Sequence, residues 1–305
     1  MKYPHVAVLL GGTSAERPVS LKTGNACADA LETAGHKVTR IDVGPTLVDD
    51  LRTVAPDAVF NGLHGPLGED GSVQGLLEFL GLPYTHSGVM ASALAMDKGR
   101  AKAVLAAHGI PVAEHVLCTR FEAAEKHLLA PPYVVKPVAE GSSFGVVIVK
   151  EGANSPPKLL AADDWAYGDD LMAEQYVAGR ELTCGAFGDT VYDIIEIVPE
   201  SEEFYGYDAK YAPGGSIHIL PANLKPNIYQ DIQKYTRTAH RALGCRGVSR
   251  ADFRYDPEKD ELVCLEVNTQ PGMTETSLVP EMAAHAGVDF PTLCAALVED
   301  ASCRR

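Results

Sequence analysis

Residues 247–280, GVSRADFRYDPEKDELVCLEVNTQPGMTETSLVP, restrict the fold more than any other stretch of this chain. Two runs rich in β-branched and aromatic residues, VSRADFRY and ELVCLEVN, flank the turn-forming DPEKD, the pattern of an antiparallel hairpin. Side chains on a strand alternate faces, so Arg250, Asp252 and Arg254 share one face of the first strand. Leu262, Cys264, Glu266 and Asn268 share one face of the second. If the polar faces align, Asp252, Glu266 and Asn268 converge. Two carboxylates about 4 Å apart repel by about 4 kcal/mol at an effective dielectric of 20, a large part of a domain's net stability of about 5 to 15 kcal/mol. A cation between them removes that repulsion. The donors are hard oxygens with no His or Cys cluster beside them, which points to Mg²⁺ or Mn²⁺ rather than zinc, completed by phosphate oxygens. The alternative is an Asp252–Arg250 pair on an exposed sheet face with Glu266 merely solvated.

A Pro-Gly turn follows, then a Thr- and Ser-rich stretch leading into a helix at LVPEMAAHAG. Gly272 can bring a bare backbone N–H to a ligand, and Ser277 stands where a helix N-terminus favours anions. With these residues in view, SRADF followed by LEVNTQPGMTETSLVP resembles the C-terminal signature of the D-alanine:D-alanine ligases of the ATP-grasp superfamily.

The chain has 305 residues, room for about two domains by size alone. Its 26 basic and 41 acidic residues give a net charge of −15, which argues against nucleic acid or a membrane surface as partner. Seven cysteines without a CxxC pair fit a reducing cytosol. The apolar run HVAVLL is too short for a signal-peptide core and is ended by GGTSAER, so it is a strand.

Residues 5–90 alternate strands (HVAVLL, HKVTRIDV, DAVFNGL, PYTHS) with a helix from Ala26 to Leu31 and another around Val73 to Leu80. That is an α/β pattern, an open and mostly parallel sheet whose ligands gather at the carboxyl ends of strands. The first such end, LGGTSAERPVS, lacks both GxGxxG and GxxxxGK[ST]. Glu16 there would repel a phosphate but suits an ammonium group; it could equally cap the helix. His64, in NGLHGPLGEDG, stands at another strand end, structural or functional. Residues 88–108 read as one small-residue helix with Lys98 in its middle, stopped by Gly and Pro.

PYVVKPVAEGSSFGVVIVK places a glycine loop between two strands. Because this loop runs into a strand, phosphate contact would fall to loop amides, hydroxyls and Lys136; a ligand-free flexible hairpin is the other reading. Residues 151–170 read as a loop with a short helix, and LMAEQYVAGRELTCGAF as strand, turn, strand. SEEFYGYDAKYAPGGS is an insertion of a length expected of a lid or a disordered segment. KPNIYQDIQKYTRTAHRALG is an amphipathic helix with Ile228, Ile232, Tyr235, Ala239 and Ala242 on one face, and FPTLCAALVEDA closes the chain as another.

The resemblance runs from LGGTSAERPVS to the closing helix, with the motifs in the family's order. It implies an ATP-grasp fold with an open-sheet substrate domain (residues 1–97), a small central lid domain (98–178) and a C-terminal antiparallel-sheet domain (179–305). By the same resemblance Glu16 takes the amino group of the first D-alanine, with His64 nearby. Lys98 and Lys136 reach the phosphates of ATP, and Ser142 lies near substrate and phosphate. Glu174 and Glu181 serve the adenine edge and the ribose, with the backbone of Gln175, Tyr176 and Val177 at the adenine. Lys210 and Tyr211 close a mobile loop over the phosphates and second substrate. Asp252, Glu266 and Asn268 hold two Mg²⁺ or Mn²⁺ ions, Arg250 and the Gly272 amide hold an oxyanion, and Ser277 with the Leu278 amide takes the second carboxylate. The implied reaction joins two D-alanines through an acyl phosphate for peptidoglycan synthesis, in a cytoplasmic homodimer. Two alternatives stand beside it: a D-alanine:D-lactate type of ligase, against which Tyr211 speaks, and a non-catalytic nucleotide-binding module.

Overall fold

The computed structural model describes residues 1–199 and 215–304. Strands β1 (His5–Leu10), β2 (Lys37–Asp42) and β3 (Ala58–Asn61) form a parallel sheet in the order β2-β1-β3. Both faces of β1 are covered, which is why Val6 to Leu10 is an unbroken apolar run. Helix α1 (Arg17–Thr33) is longer than expected from sequence, and α2 (Leu47–Val54) had no expected counterpart. Helix α3 (Ser72–Leu80) ends at Gly81 in the left-handed conformation. The expected strand at PYTHS is absent: Tyr84 alone bridges, to Val59 and to Ser302. Pro83 before it has no N–H to give, and His86 after it turns the chain with φ 65°.

The single helix expected over 88–108 is two, α4 (Val89–Met96) and α5 (Lys98–Ala107). Asp97 breaks it with extended backbone and caps α5, its carboxylate accepting from the Arg100 N–H at 2.9 Å. Lys98 therefore opens a helix instead of sitting mid-helix.

The second sheet is antiparallel, ordered β4-β7-β5-β6, from β4 (His115–Thr119), β5 (Tyr133–Pro137), β6 (Val147–Val149) and β7 (Asp170–Gln175). Helix α6 (Arg120–Glu125) begins with a Thr119/Glu122 capping box, and the short helix expected in 151–170 is a 3-10 turn at Lys158–Ala161. The third sheet runs β11-β10-β8-β12-β13, with β9 paired to β8. Its strands are β8 (Arg180–Phe187), β9 (Thr190–Val191), β10 (Ile195–Pro199), β11 (Ser216–Ile219), β12 (Val248–Asp256) and β13 (Glu261–Asn268). Thus β7 and β8, close in sequence, enter different sheets. The link passes Gly179 at φ +88°, where an added Cβ would lie 2.3 Å from the Tyr255 carbonyl oxygen.

Helix α7 (Pro226–Ala242) buries Ile228, Ile232 and Ala239 as its periodicity requires. Helix α8 (Leu278–His285) packs on β8 of the third sheet, and α9 (Phe290–Asp300) packs on α1 and β3 of the first. One core joins Val6, Val8 and Leu10 to Met282, Leu293 and Leu297. Another packs Ala101 and Leu105 of α5 against Leu182 and Phe253 of the third sheet. The first core reaches the start of β12 at Val248, and the second takes in both β12 and β13 through Phe253 and Cys264.

That hairpin pairs Arg250 with Asn268 and Asp252 with Glu266, then shifts register so that Phe253 faces Cys264. Leu265 is the extra residue of a bulge. Leu262 and Cys264 thus lie on the opposite face from Glu266 and Asn268, contrary to simple alternation, and Cys264 is wholly buried.

Candidate active site

The bulge leaves Asp252, Glu266 and Asn268 together on one face, as the aligned-face expectation had it. Arg250 spans both Asp252 oxygens, Nε to Oδ1 at 2.8 Å and Nη2 to Oδ2 at 2.7 Å. Thr183 donates to Oδ1 at 2.7 Å and Asn268 to Oδ2 at 3.0 Å. The Arg250–Asp252 pair exists, but in the interior, with side chains 16% and 13% exposed, not on an open sheet face. Glu266 faces Lys98 at 3.5 Å. Among the described residues no group of three or more His, Cys, Asp or Glu side chains is placed to share a metal. The expected ligand set is smaller, two carboxylates and an amide.

Three lysines surround this hairpin. Lys98 donates to the Glu140 carbonyl oxygen at 2.6 Å, joining α5 to the glycine loop. Lys136 of β5 meets Glu174 Oε2 at 2.5 Å, while Lys102 of α5 pairs with Oε1 and donates to the Cys264 carbonyl oxygen at 3.2 Å. Glu174 is therefore buried between two ammonium groups. Burial opposes its charge, yet Lys136 and Lys102 hold its carboxyl below the ordinary range. Burial works against Lys136 too, but Glu174 and Glu266 outweigh it and raise its ammonium. For Lys102 burial wins and brings the group down. Glu181 pairs with Arg254 at 3.2 Å, and Arg254 donates to the Val177 carbonyl oxygen at 3.2 Å.

The glycine loop between β5 and β6 turns through Ser142 and Ser143 at φ 50° and 60°. These strained positions carry the Ser142 hydroxyl onto the Glu16 carboxylate. Glu16 occupies the N-cap position of α1 but makes no side-chain capping bond, so of the two readings of this residue the helix cap is excluded. Its neighbour Glu69 accepts from the Gly65 N–H at 2.9 Å. Burial, then the Glu16 charge, pushes Glu69 up to about 8. His64 is buried, 3.1 Å from the Thr23 hydroxyl; burial, then the Arg250 charge, lowers it to about 4, so its ring is neutral at pH 7.

Ser277 begins α8 with its hydroxyl turned to Thr274, accepting from that N–H at 3.0 Å. A Cβ on Gly272 would come within 3.3 Å of the same hydroxyl, so the Gly272 backbone lies close against it. Leu278 supplies the first turn of α8.

These groups line two cavities. One lies between the second and third sheets, lined by Lys98, Lys136, Glu174, Gln175–Val177, Glu181 and Asp252. The other lies against the first sheet, lined by Glu16, His64, Ser142, Asn268, Gly272 and the Ser277–Leu278 start of α8. Arg250, Glu266 and Gly141 line both. Every site residue expected from the sequence and described here lines one of them; Lys210 and Tyr211 lie outside the described residues. Lys102, Glu69 and Arg254 were not singled out as site residues. The Asp97 cap was a legible signal that α5 restarts at Lys98, which sets Lys102 one turn on; the burial of Glu69 has no local signature.

Among solved structures, the chain superimposes on D-alanine–D-alanine ligase from Bacillus anthracis complexed with ATP, with a TM-score of 0.82, 29% identity, and 97% and 96% of the two chains covered. The Coxiella burnetii ligase gives a TM-score of 0.80 at 27% identity over 98% and 94% of the chains. Fold and site together define an ATP-grasp enzyme, an ATP-dependent ligase. The family described as D-ala D-ala ligase C-terminus matches residues 104–299 and its N-terminal counterpart residues 46–87. The D-alanine–D-alanine ligase of Methylobacterium radiotolerans is 62% identical over 99% of both chains, and that of a Chelativorans species 60% over the full length of both. The chain belongs to the D-alanine–D-alanine ligase family.

Proposed function

We propose that this protein joins two D-alanine molecules into D-alanyl-D-alanine at the expense of ATP, for peptidoglycan precursor synthesis. The observation that carries the reading is that the cavity lined by lysines and the cavity lined by Glu16 meet at Arg250 and Glu266. A phosphoryl group can pass there from nucleotide to carboxylate without entering solvent.

In this reading Gln175 to Val177 pair with the adenine, Glu181 takes the ribose, and Lys98 and Lys136 hold the phosphates. Glu174 lies at the adenine edge as well as between its lysines. Glu16 holds the ammonium of the first D-alanine, beside neutral His64, and Ser142 lies near the phosphoryl being transferred. The carboxylate of that first D-alanine attacks the terminal phosphate of ATP to give a D-alanyl phosphate and ADP. The amine of the second D-alanine, its carboxylate held by Ser277 and the Leu278 amide, then attacks the acyl carbon and phosphate leaves. Arg250 and the Gly272 N–H stabilise the tetrahedral oxyanion, where one donor is worth about 100- to 1,000-fold in rate. Lys210 and Tyr211, which lie outside the described residues, have by family resemblance the task of keeping water from the acyl phosphate.

Asp252, Glu266 and Asn268 offer only oxygen donors, a set that fits Mg²⁺ or Mn²⁺, two ions by family resemblance. Such ions would neutralise charge developing between the phosphates. The same reading keeps the three-part division at about residues 97 and 178, a homodimer, and a cytoplasmic location with neither nucleic acid nor membrane as partner. Free cysteines support the reducing compartment, and no described helix is long and apolar enough to cross a membrane.

Phosphate release with ATP and D-alanine, L-alanine or D-alanine plus D-lactate tests the reading. Release with D-alanine alone, giving the dipeptide, is the expected result; ATP binding without D-alanine-dependent hydrolysis would refute it.

A further inference from the structure

Lys102 is the most deeply buried charged residue among those described, 1% exposed. It lines neither the nucleotide nor the substrate cavity, whereas Glu174 and Lys136, which it adjoins, line the first. It follows Lys98 by one helical turn, so the two side chains leave α5 on the same side. Lys98 goes to Glu266 and the glycine loop, Lys102 to Glu174 Oε1 and the Cys264 carbonyl oxygen of β13. Lys136 approaches Glu174 from β5 at the other oxygen. One carboxylate is thus shared by two ammonium groups from different elements, and the cluster carries a net single positive charge at the cavity wall.

Without Lys102, Glu174 and Lys136 would form a closed neutral pair. An incoming phosphate would then have to compete with a buried carboxylate for Lys136. A hydrophobic side chain of similar volume would fill the space without the desolvation penalty of a buried ammonium. Packing alone therefore does not account for a lysine here.

We propose that Lys102 is a positioning residue for nucleotide binding: by occupying Glu174 it leaves Lys136 with charge to offer the ATP phosphates. The inference rests on the ATP-binding reading of the Lys136 cavity and adds to it a residue that never touches the nucleotide.

The test is a double-mutant cycle on the full-length enzyme, measuring Mg-ATP binding and the separate KM values for ATP and D-alanine. Lys102→Met should raise the ATP KM about tenfold or more while moving the D-alanine KM by less than about twofold. In the Glu174→Gln background the same substitution should change the ATP KM by less than about twofold, because the carboxylate it balances is gone. An unchanged ATP KM in Lys102→Met, or an equal loss in both backgrounds, overturns the proposal. If Lys102→Met does not fold, the Glu174→Gln pair still decides, since a large loss there assigns Lys102 a role unrelated to Glu174. A wild-type enzyme that fails to bind Mg-ATP would instead refute the nucleotide reading itself.

Discussion

Ser142 donates its hydroxyl to the carboxylate of Glu16, 126 positions earlier in the chain. This contact lays the glycine loop of the second sheet on the start of α1, and it closes one wall of the cavity lined by Glu16 and His64. The closure is tight, since a Cβ on Gly141 would lie 2.9 Å from Glu16 Oε2.

Glu16→Gln keeps the shape of that contact and removes the charge that would hold an ammonium group. A hydrogen bond to a charged group is worth about 1.5 to 3 kcal/mol, so the D-alanine KM should rise by about 10- to 100-fold with the ATP KM little changed. Steady-state kinetics with each substrate varied in turn check this; a rise confined to ATP would move Glu16 out of the amino-acid site.

Arg250→Lys retains a positive charge beside Asp252 but loses the two-point grip, Nε and Nη2 on separate oxygens. In its proposed role as donor to the oxyanion, Arg250 should cost about 100- to 1,000-fold in kcat when replaced. Nucleotide affinity, read by ADP titration, should change far less. A loss of affinity with kcat preserved would make Arg250 a structural partner of Asp252 only.

Glu266→Gln preserves size and the neighbourhood of Lys98 while removing one hard anionic donor. ADP release as a function of magnesium concentration should collapse, or require far more metal. An unshifted magnesium curve would remove Glu266 from the ligand set.

His64 sets a pH dependence of stability. Its folded value of about 4 lies below the ordinary 6.5. The unfolded chain therefore takes up a proton that the folded one refuses, and stability present above 6.5 is lost as pH falls towards about 4. Urea midpoints across this window should fall less steeply for His64→Asn than for the wild type; parallel slopes would show that His64 is not the group responsible.

Gly179→Ala should destabilise the fold by more than about 1 kcal/mol, because a side chain at positive φ is strained and its Cβ meets the Tyr255 carbonyl oxygen. The melting temperature reads the loss; an unchanged value would mean that the β7–β8 link relaxes freely.

Much of this architecture is legible locally. Period-two alternation marks β12 and β13, β-branched runs mark β1 and β5, and the face of α7 is spaced as a buried helix must be. The hard oxygen donors at Asp252, Glu266 and Asn268 are what lead the sequence reading to Mg²⁺ or Mn²⁺ rather than zinc. What a local window cannot see is the register of distant strands. Bulging Leu265 reverses the face of Cys264 and Leu262, because a single added residue inverts a period of two. The separation of β7 from β8, the Ser142–Glu16 contact and the enclosure of Lys102 likewise arise only when sheets far apart in sequence pack together. Residue chemistry and order along the chain thus determined which groups were available and in which elements. Only the tertiary structure decided which charges are buried and what they face, since burial and Coulomb energy depend on separation in space and not in sequence.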